Sequence, residues 1–410
     1  MTHIRLFYVS ILVASIGTAQ AQTPLGPEQI VQRALDASPA IRAQVSRHQA
    51  TLQTAKSLGS GQNPELEIAP GVGFTNSNFV LGQTFDLSGK RSAQTRVAQA
   101  EAREAFAELQ RTRLHVVELV LAAYADYLWS VEIEASASQT EEAAQQILSG
   151  VAKRVGLGEA PVVQRTRAEV ELLRAQQAQI EARAKLASNL ASLNQALGIP
   201  FKDQTPVQGW LTIGSKEGAQ TRATSVRPEV MLARARIEAA RAGEDEAKSL
   251  GRPSLFAGVA ADTWSLNRNP FRSENLGLQF SLKMPLIDRG ENRFALKSAE
   301  FTRKAREEDL RTVERLVMLE VEQAKIGTTF AAQVASSYAS GIVPKAEEML
   351  SAMRQGYESG LVNFLEVLEA QQTLSRLRRE AADATRALRL SEVRYLAAIA
   401  QLPGLETKQP

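Results

Sequence analysis

Residues 275–292 read Asn-Leu-Gly-Leu-Gln-Phe-Ser-Leu-Lys-Met-Pro-Leu-Ile-Asp-Arg-Gly-Glu-Asn. Leu276, Leu278, Phe280, Leu282 and Met284 alternate with Gly277, Gln279, Ser281 and Lys283. A period of two places the apolar set on one face of a strand and the polar set on the other. Pro285 ends the strand pattern, and after Asp288-Arg289-Gly290 a helical pattern runs for about sixty residues with Pro344 as its one strong breaker. The same switch occurs earlier. Phe79, Leu81, Gln83, Phe85 and Leu87 alternate, Ser88-Gly89-Lys90-Arg91 follows, and a second long helical run begins. A chain that makes this transition twice reads as a duplication joining an environment for amphipathic strands to one for long helices.

The hairpins extend both signatures. Leu66, Ile68, Val72 and Phe74 alternate with Glu65, Glu67, Gly71 and Gly73, and Thr75-Asn76-Ser77-Asn78 forms a polar turn into the strand from Phe79. Each strand has about the ten residues that a tilted membrane strand needs. The expected order is a first repeat over 22–198, with a helix, a β-hairpin at 64–87, a long helix at 90–155 and a helix at 161–197. An irregular, mixed segment occupies 199–227. A second repeat covers 228–402, with a helix, a β-hairpin at 253–285, a long helix at 290–356 and a helix at 362–400. Residues 403–410 form a tail. The spacing from Pro39 to Pro64 equals that from Pro228 to Pro253, 25 residues each, and Gly89/Gly290 and Gly158/Gly360 keep an offset of 201 to 202. A fixed internal offset is the mark of a repeat.

Composition narrows the classes. The 48 basic residues nearly balance 45 acidic ones, which argues against a nucleic-acid partner. Residues 1–21 have the form of a secretory signal: Arg5 in a polar start, an apolar core from Leu6 to Ile16, and Ala19-Gln20-Ala21 as a small-x-small cleavage pattern near Ala21. With no cysteine the exported chain has neither disulfides nor a thiol for a lipid anchor. The most apolar helical run, Leu114 to Leu128, is broken by His115, Glu118 and Asp126. A membrane span must therefore be a β-barrel, the other structure that pairs every backbone group in lipid.

Geometry then calls for several copies. A helix over 90–155 is near 100 Å long, too long for one compact core. Ala370, Leu374, Leu377, Ala381, Ala384 and Leu388 step by four and three, a seam for close helix pairing. Four strands do not close a barrel. Each copy is thus expected to give two hairpins to a shared barrel, although the alternation by itself also fits an ordinary half-buried sheet.

Particular residues resemble one family. Tyr338, Ile342, Pro344, Ala346-Glu347, Tyr357, Gly360 and Leu365-Glu366-Val367-Leu368-Glu369-Ala370-Gln371 are similar to the second-repeat pattern of the outer-membrane efflux proteins, the TolC family. Arg154-Val155-Gly156-Leu157-Gly158 resembles its first-repeat tip, and Phe85-Asp86-Leu87-Ser88-Gly89-Lys90-Arg91 the strand-to-helix signature of its heavy-metal (cobalt-zinc-cadmium type) subgroup. The resemblance, spanning about Pro27 to Pro403, implies a mainly α fold with a β-barrel part. It implies a homotrimer with a twelve-stranded outer-membrane barrel and a twelve-helix periplasmic tunnel, and it makes Leu66, Ile68, Val72, Phe74, Phe79, Leu81, Phe85, Leu276, Leu278, Phe280 and Leu282 the lipid-facing residues. The partners it implies are outer-membrane lipid, a periplasmic adaptor (membrane-fusion) protein and an inner-membrane pump of RND type.

The candidate site residues follow from both readings. Glu366 and Glu369 share a helix face, and the resemblance places them as acidic rings at the periplasmic aperture, where such rings favour cations. Gly156, Gly158 and Gly360 are expected to adopt positive φ at the tips. Val155, Leu157, Leu361 and Val362 are expected exposed beside them, with Arg154, as the adaptor contact. Gly89, Pro285 and Gly290 are the expected bends from barrel to tunnel. His48 and His115 are far apart and form no metal-ligand cluster, and no catalytic constellation, phosphate loop or cofactor fingerprint occurs. The leading reading is a passive exit duct, not an enzyme, for metal ions or drugs. The alternatives are a type I secretion component and a periplasmic coiled-coil scaffold or adaptor, which needs no lipid-faced strands; a secreted hydrolase lacks a site.

Overall fold

The computed structural model describes residues 26–69, 77–198, 209–211, 219–263, 276–283 and 289–403. The signal-like segment, Val72, Phe74, Pro285 and most of 199–227 lie outside them. The first repeat comprises α1 (Pro27–Ala37), α2 (Pro39–Gly59), β1 (Glu65–Ala69), β2 (Ser77–Asp86), α3 (Lys90–Gly156) and α4 (Val162–Leu197). A short helix α5 (Ala219–Val226) falls in the stretch expected to be irregular. The second repeat comprises α6 (Pro228–Ser249), β3 (Ser254–Thr263), β4 (Leu276–Lys283), α7 (Glu291–Ser337), a π-helical turn (Tyr338–Ile342), α8 (Val343–Glu358) and α9 (Phe364–Ala398).

Local chemistry sets the boundaries. Pro39 separates α1 from α2 because it cannot donate a helical hydrogen bond. The Ser38 hydroxyl accepts from the Ile41 N–H at 3.5 Å and caps the new start. Gly89 and Gly290 stand immediately before α3 and α7 at φ 77° and 96°, the left-handed region that turns strand into helix and strains any residue with a Cβ. Asp86 completes the first bend. Its carboxylate accepts from the Ser88 and Arg91 N–H groups at 2.9 and 2.6 Å. Arg91 in turn donates to the Leu58 and Gly61 carbonyls where α2 ends.

The strands pair antiparallel in the order β1-β2-β3-β4. The helices repeat that order as α2-α3-α6-α7 below the sheet, and at the far end the order is α4-α3-α9-α8. The wall is one helix thick. Its buried side chains accordingly form separate clusters along the axis rather than one core. Close approach comes from alanine: Ala98, Ala102 and Ala107 on α3 and Ala233, Ala235 and Ala242 on α6 are buried. Ion pairs cross the same seams, Arg96 to Asp245 and Arg236 to Glu104 between α3 and α6, and Arg303 to Glu244 between α6 and α7. Exposed pairs contribute about 0.2–1 kcal/mol each, so small-residue packing sets the spacing and the pairs favour one register. No helix among the described residues is long and apolar enough to cross a membrane.

Candidate functional site

At the sheet end, register collects the apolar set on one face. Leu66 stands opposite Leu81, Leu81 opposite Val259, and Val259 opposite Leu278. All four are exposed, Leu278 at 75%. Ile68, Phe85, Phe280 and Leu282 join them, as do Leu276 and half-buried Phe79. The opposite face carries Glu65, Glu67, Thr84, Gln279 and Ser281, together with Gly82 and Gly258. The Phe256 ring lies against Gly82 and fills the space that a Cβ there would need. One face is thus apolar except for Gln83, and the other mixes these polar groups with Val80, Ala260 and Phe256, an asymmetry of the kind that lipid on one side and water on the other select.

At the other end two helical hairpins finish side by side. Gly158 and Gly360 adopt φ 76° and 80°. The Glu159 N–H donates to Arg154 O at 2.9 Å, and the Leu361 N–H to Gly356 O at 2.8 Å, so both turns close in the same way. Gly156 is the exception to expectation. It is the last residue of α3, because the positive φ falls at Gly158 after the helix has run its full length. Leu157 and Leu361 project into solvent, 73% and 86% exposed, with Val162 and Val163 beside them. Val155 and Val362, expected exposed, are half-buried. Val155 packs with Val151, Phe364 and Leu368, and Val362 sits directly on Gly356, leaving no room for a Cβ.

Arg154 does more than mark the tip. Its guanidinium lies 4.6 Å from the Tyr357 ring centroid and donates to the Tyr357 carbonyl at 3.0 Å, with Glu159 at 3.7 Å. Tyr357 also reaches Gln164 on α4 at 3.4 Å. The two hairpins are thereby pinned together. Glu366 and Glu369 are both exposed on α9. Glu366 also closes the start of its own helix. Its N–H donates to Asn363 Oδ1 at 3.1 Å and its carboxylate accepts from Asn363 Nδ2 at 2.7 Å, a reciprocal cap of α9. Glu369 borders a groove of about 630 Å³ together with Arg174, Arg376 and Arg379.

Midway along the wall lies a polar hub that sequence reasoning missed. Arg227, 7% exposed, donates to Glu229 at 2.8 Å, Glu320 at 2.9 Å and the Ala397 carbonyl at 3.3 Å, joining α6, α7 and the end of α9. Glu118 of α3 lines the same 510 Å³ cavity, and burial raises its carboxyl above the ordinary range. Nearby, Trp210 stacks on Tyr124 at 5.7 Å and donates to Glu392, anchoring the segment between the repeats. Burial pushes the Tyr124 hydroxyl up to about 12. Apart from Arg227 and Glu229, two residues apart, the bonded partners lie far apart in sequence, 93 residues for Arg227–Glu320 and 182 for Trp210–Glu392, so no local spacing announces them. The described residues hold no cluster of three His, Cys, Asp or Glu able to bind a metal ion.

A one-layer helical wall, crowned by a sheet with an apolar outer face, defines a channel-wall subunit. The sequence profile of the outer membrane efflux protein family matches residues 30–199 and 221–401, and the chain belongs to that family. It is a channel component, not an enzyme. The cobalt-zinc-cadmium resistance protein CzcC of Cupriavidus metallidurans is 25% identical over 303 residues, covering 72% of this chain and 69% of that protein. Two solved structures have the same fold. CusC superposes with a TM-score of 0.80 at 18% identity over 91% of each chain. The open state of the Neisseria gonorrhoeae MtrE outer membrane channel superposes with 0.79 at 15% identity over 93% of this chain and 91% of that one.

Proposed function

We propose that three copies of this chain close a twelve-stranded barrel in the outer membrane and a helical tunnel through the periplasm. Together they form the passive exit duct of a tripartite efflux system for heavy-metal cations. One observation carries the reading: a four-stranded sheet with an apolar outer face and two open edges continues into a helical layer one element thick. Unpaired strand edges in lipid cost several kcal/mol per backbone group, so β1 and β4 need partners, and a neighbouring copy offers the complementary edge. The bounding helices support this. Val170, Leu173 and Ile180 on α4, and Phe294, Phe301 and Phe330 on α7, leave apolar side chains in solvent.

In this arrangement Leu157, Leu361, Val162 and Val163 meet a periplasmic adaptor, which couples the duct to an inner-membrane pump of RND type. Glu366 and Glu369 ring the periplasmic aperture and favour cations. The metal-resistance relative supports the cargo class. Residues 1–21 act as a signal cleaved near Ala21. The test is purification from outer membranes followed by planar-bilayer recording. A heat-modifiable trimer with cation-selective conductance is expected, and Glu366→Ala/Glu369→Ala is expected to lower that selectivity. A soluble monomer in the periplasmic fraction overturns the reading, and unchanged selectivity in the double variant removes the aperture assignment.

A further inference from the structure

Among the described residues, the face of the sheet behind the apolar row carries one aromatic ring, Phe256. Pairing sets it on a rung with Thr84 and Ser281. The next rung is Glu65, Gly82, Gly258 and Gln279, with the two glycines directly opposite each other. Paired glycines on neighbouring strands leave the sheet bare there, because neither contributes a side chain.

The Phe256 ring occupies that bare patch. A Cβ on Gly82 would meet Phe256 Cε2 at 2.8 Å, and one on Gly258 would meet Phe256 Cε1 at 3.2 Å. The far edge of the ring therefore reaches over both glycines. A strand side chain ordinarily stands perpendicular to its sheet, whereas this one is laid along it and is half-buried. A ring that covers glycine on the paired strand replaces the cross-strand contact that glycine cannot make. The two strands also run close at this rung. A Cβ would fall 2.9 Å from the Ala257 carbonyl oxygen at Gly82 and 2.8 Å from that of Leu81 at Gly258.

We infer that Gly82 and Gly258 form a recess that stows Phe256 against the barrel wall and so keeps the bore of the duct wide at that level. This rests on the barrel reading, in which the mixed face lines a wet lumen and symmetry sets one ring per copy at a single height. Rings standing upright there would point at the axis from three sides, and the largest solute able to pass would be smaller. Substitutions on the lumen face of a barrel change what it passes and leave its lipid contacts alone.

Polymer exclusion in planar bilayers tests this on the full-length protein, with neutral polyethylene glycols of graded size added to the sheet side alone. The readout is the largest polymer that enters and lowers the current. Phe256→Ala, which keeps both glycines, should leave this cut-off where it is, because a stowed ring does not bound the bore. Gly82→Ala, which fills the recess, should lose entry of the largest polymers that wild type admits, and Gly82→Ala/Phe256→Ala should regain it. Phe256→Trp, whose indole outgrows the recess, should show the same loss with the glycines intact, so the inference stays testable if Gly82→Ala does not assemble. Polymers on the helical side should give the wild-type cut-off in every variant. A wider cut-off in Phe256→Ala, or an unchanged one in Phe256→Trp and Gly82→Ala, overturns the inference. So does an equal loss from both sides, which marks a general distortion of the wall. A wild type that conducts no ions removes the barrel reading and the bore role with it; a conducting wild type with indifferent variants removes the bore role alone.

Discussion

Ala400 carries φ 52° at the end of α9, where the Gln401 N–H donates to Leu396 O at 2.8 Å. Its counterpart 202 positions earlier is Gly198, at φ 63°. The second repeat keeps the left-handed helix stop but fills it with a residue that bears a Cβ. That conformation costs an L-residue about 1–2 kcal/mol, partly offset by the lower unfolded-state entropy of alanine. Ala400→Gly should therefore raise stability by about 0.5–1 kcal/mol, read as a higher Tm in detergent. Glu118 makes a second prediction. It faces His115 on its own helix, Arg227 immediately before α6, Glu229 on α6, Glu320 on α7 and Arg394 across the cavity. A raised folded pKa means that the folded state binds the proton more tightly than the unfolded one. The carboxylate therefore destabilises above the folded pKa, and the penalty fades as pH falls toward the ordinary carboxylate range of about 4.3. Glu118→Gln should be more stable than wild type at neutral pH, with the advantage closing on acidification. Thermal unfolding across pH checks it, and an advantage that grows in acid refutes it.

At the scale of elements, alternation in β2 and β4 made the strands and their faces legible, and the observed register places Leu66, Leu81, Val259 and Leu278 in one row. Arginine at the bilayer midplane costs about 2–4 kcal/mol on a lipid face and little on a wet one. Leu278→Arg should thus cut the yield of outer-membrane protein severely, while Gln279→Arg, one residue along, should insert normally. Equal behaviour of the two would mean an ordinary half-buried sheet. The bends were legible because Gly89 and Gly290 have few substitutes at positive φ. The tip was legible only in part. Leu157 and Leu361 are as exposed as their place in a turn suggests. Val155 turns inward because Phe364, more than two hundred residues away, packs against it, and Val362 because its own turn folds it onto Gly356, six residues back. The Arg154–Tyr357 pin spans 203 residues and the Arg227–Glu320 bond 93. Such pairs arise from the stacking of helices, which hydrophobic periodicity specifies by face but not by neighbour.

At the scale of the molecule, the duplication, the offset near 202 and the helix lengths already imply an elongated wall from sequence. The π-turn was hidden behind Pro344, which reads equally as a kink, a break or a tolerated first-turn proline. The ordering β1-β2-β3-β4 above α2-α3-α6-α7 also means that each repeat occupies one uninterrupted sector. Among the described residues no strand of one half lies between strands of the other. The chain should consequently survive fission: residues 22–211 and 219–410, each behind its own export signal, should reassemble into a conducting complex when co-expressed. Gel mobility of the unheated complex checks this, and two monomeric fragments would contradict it. In the closed ring, six half-units would meet at two kinds of junction, alternately covalent neighbours and strangers. If three copies close the ring as proposed, the rim would have only near-sixfold symmetry, and a docking partner with true sixfold symmetry would meet two inequivalent seats.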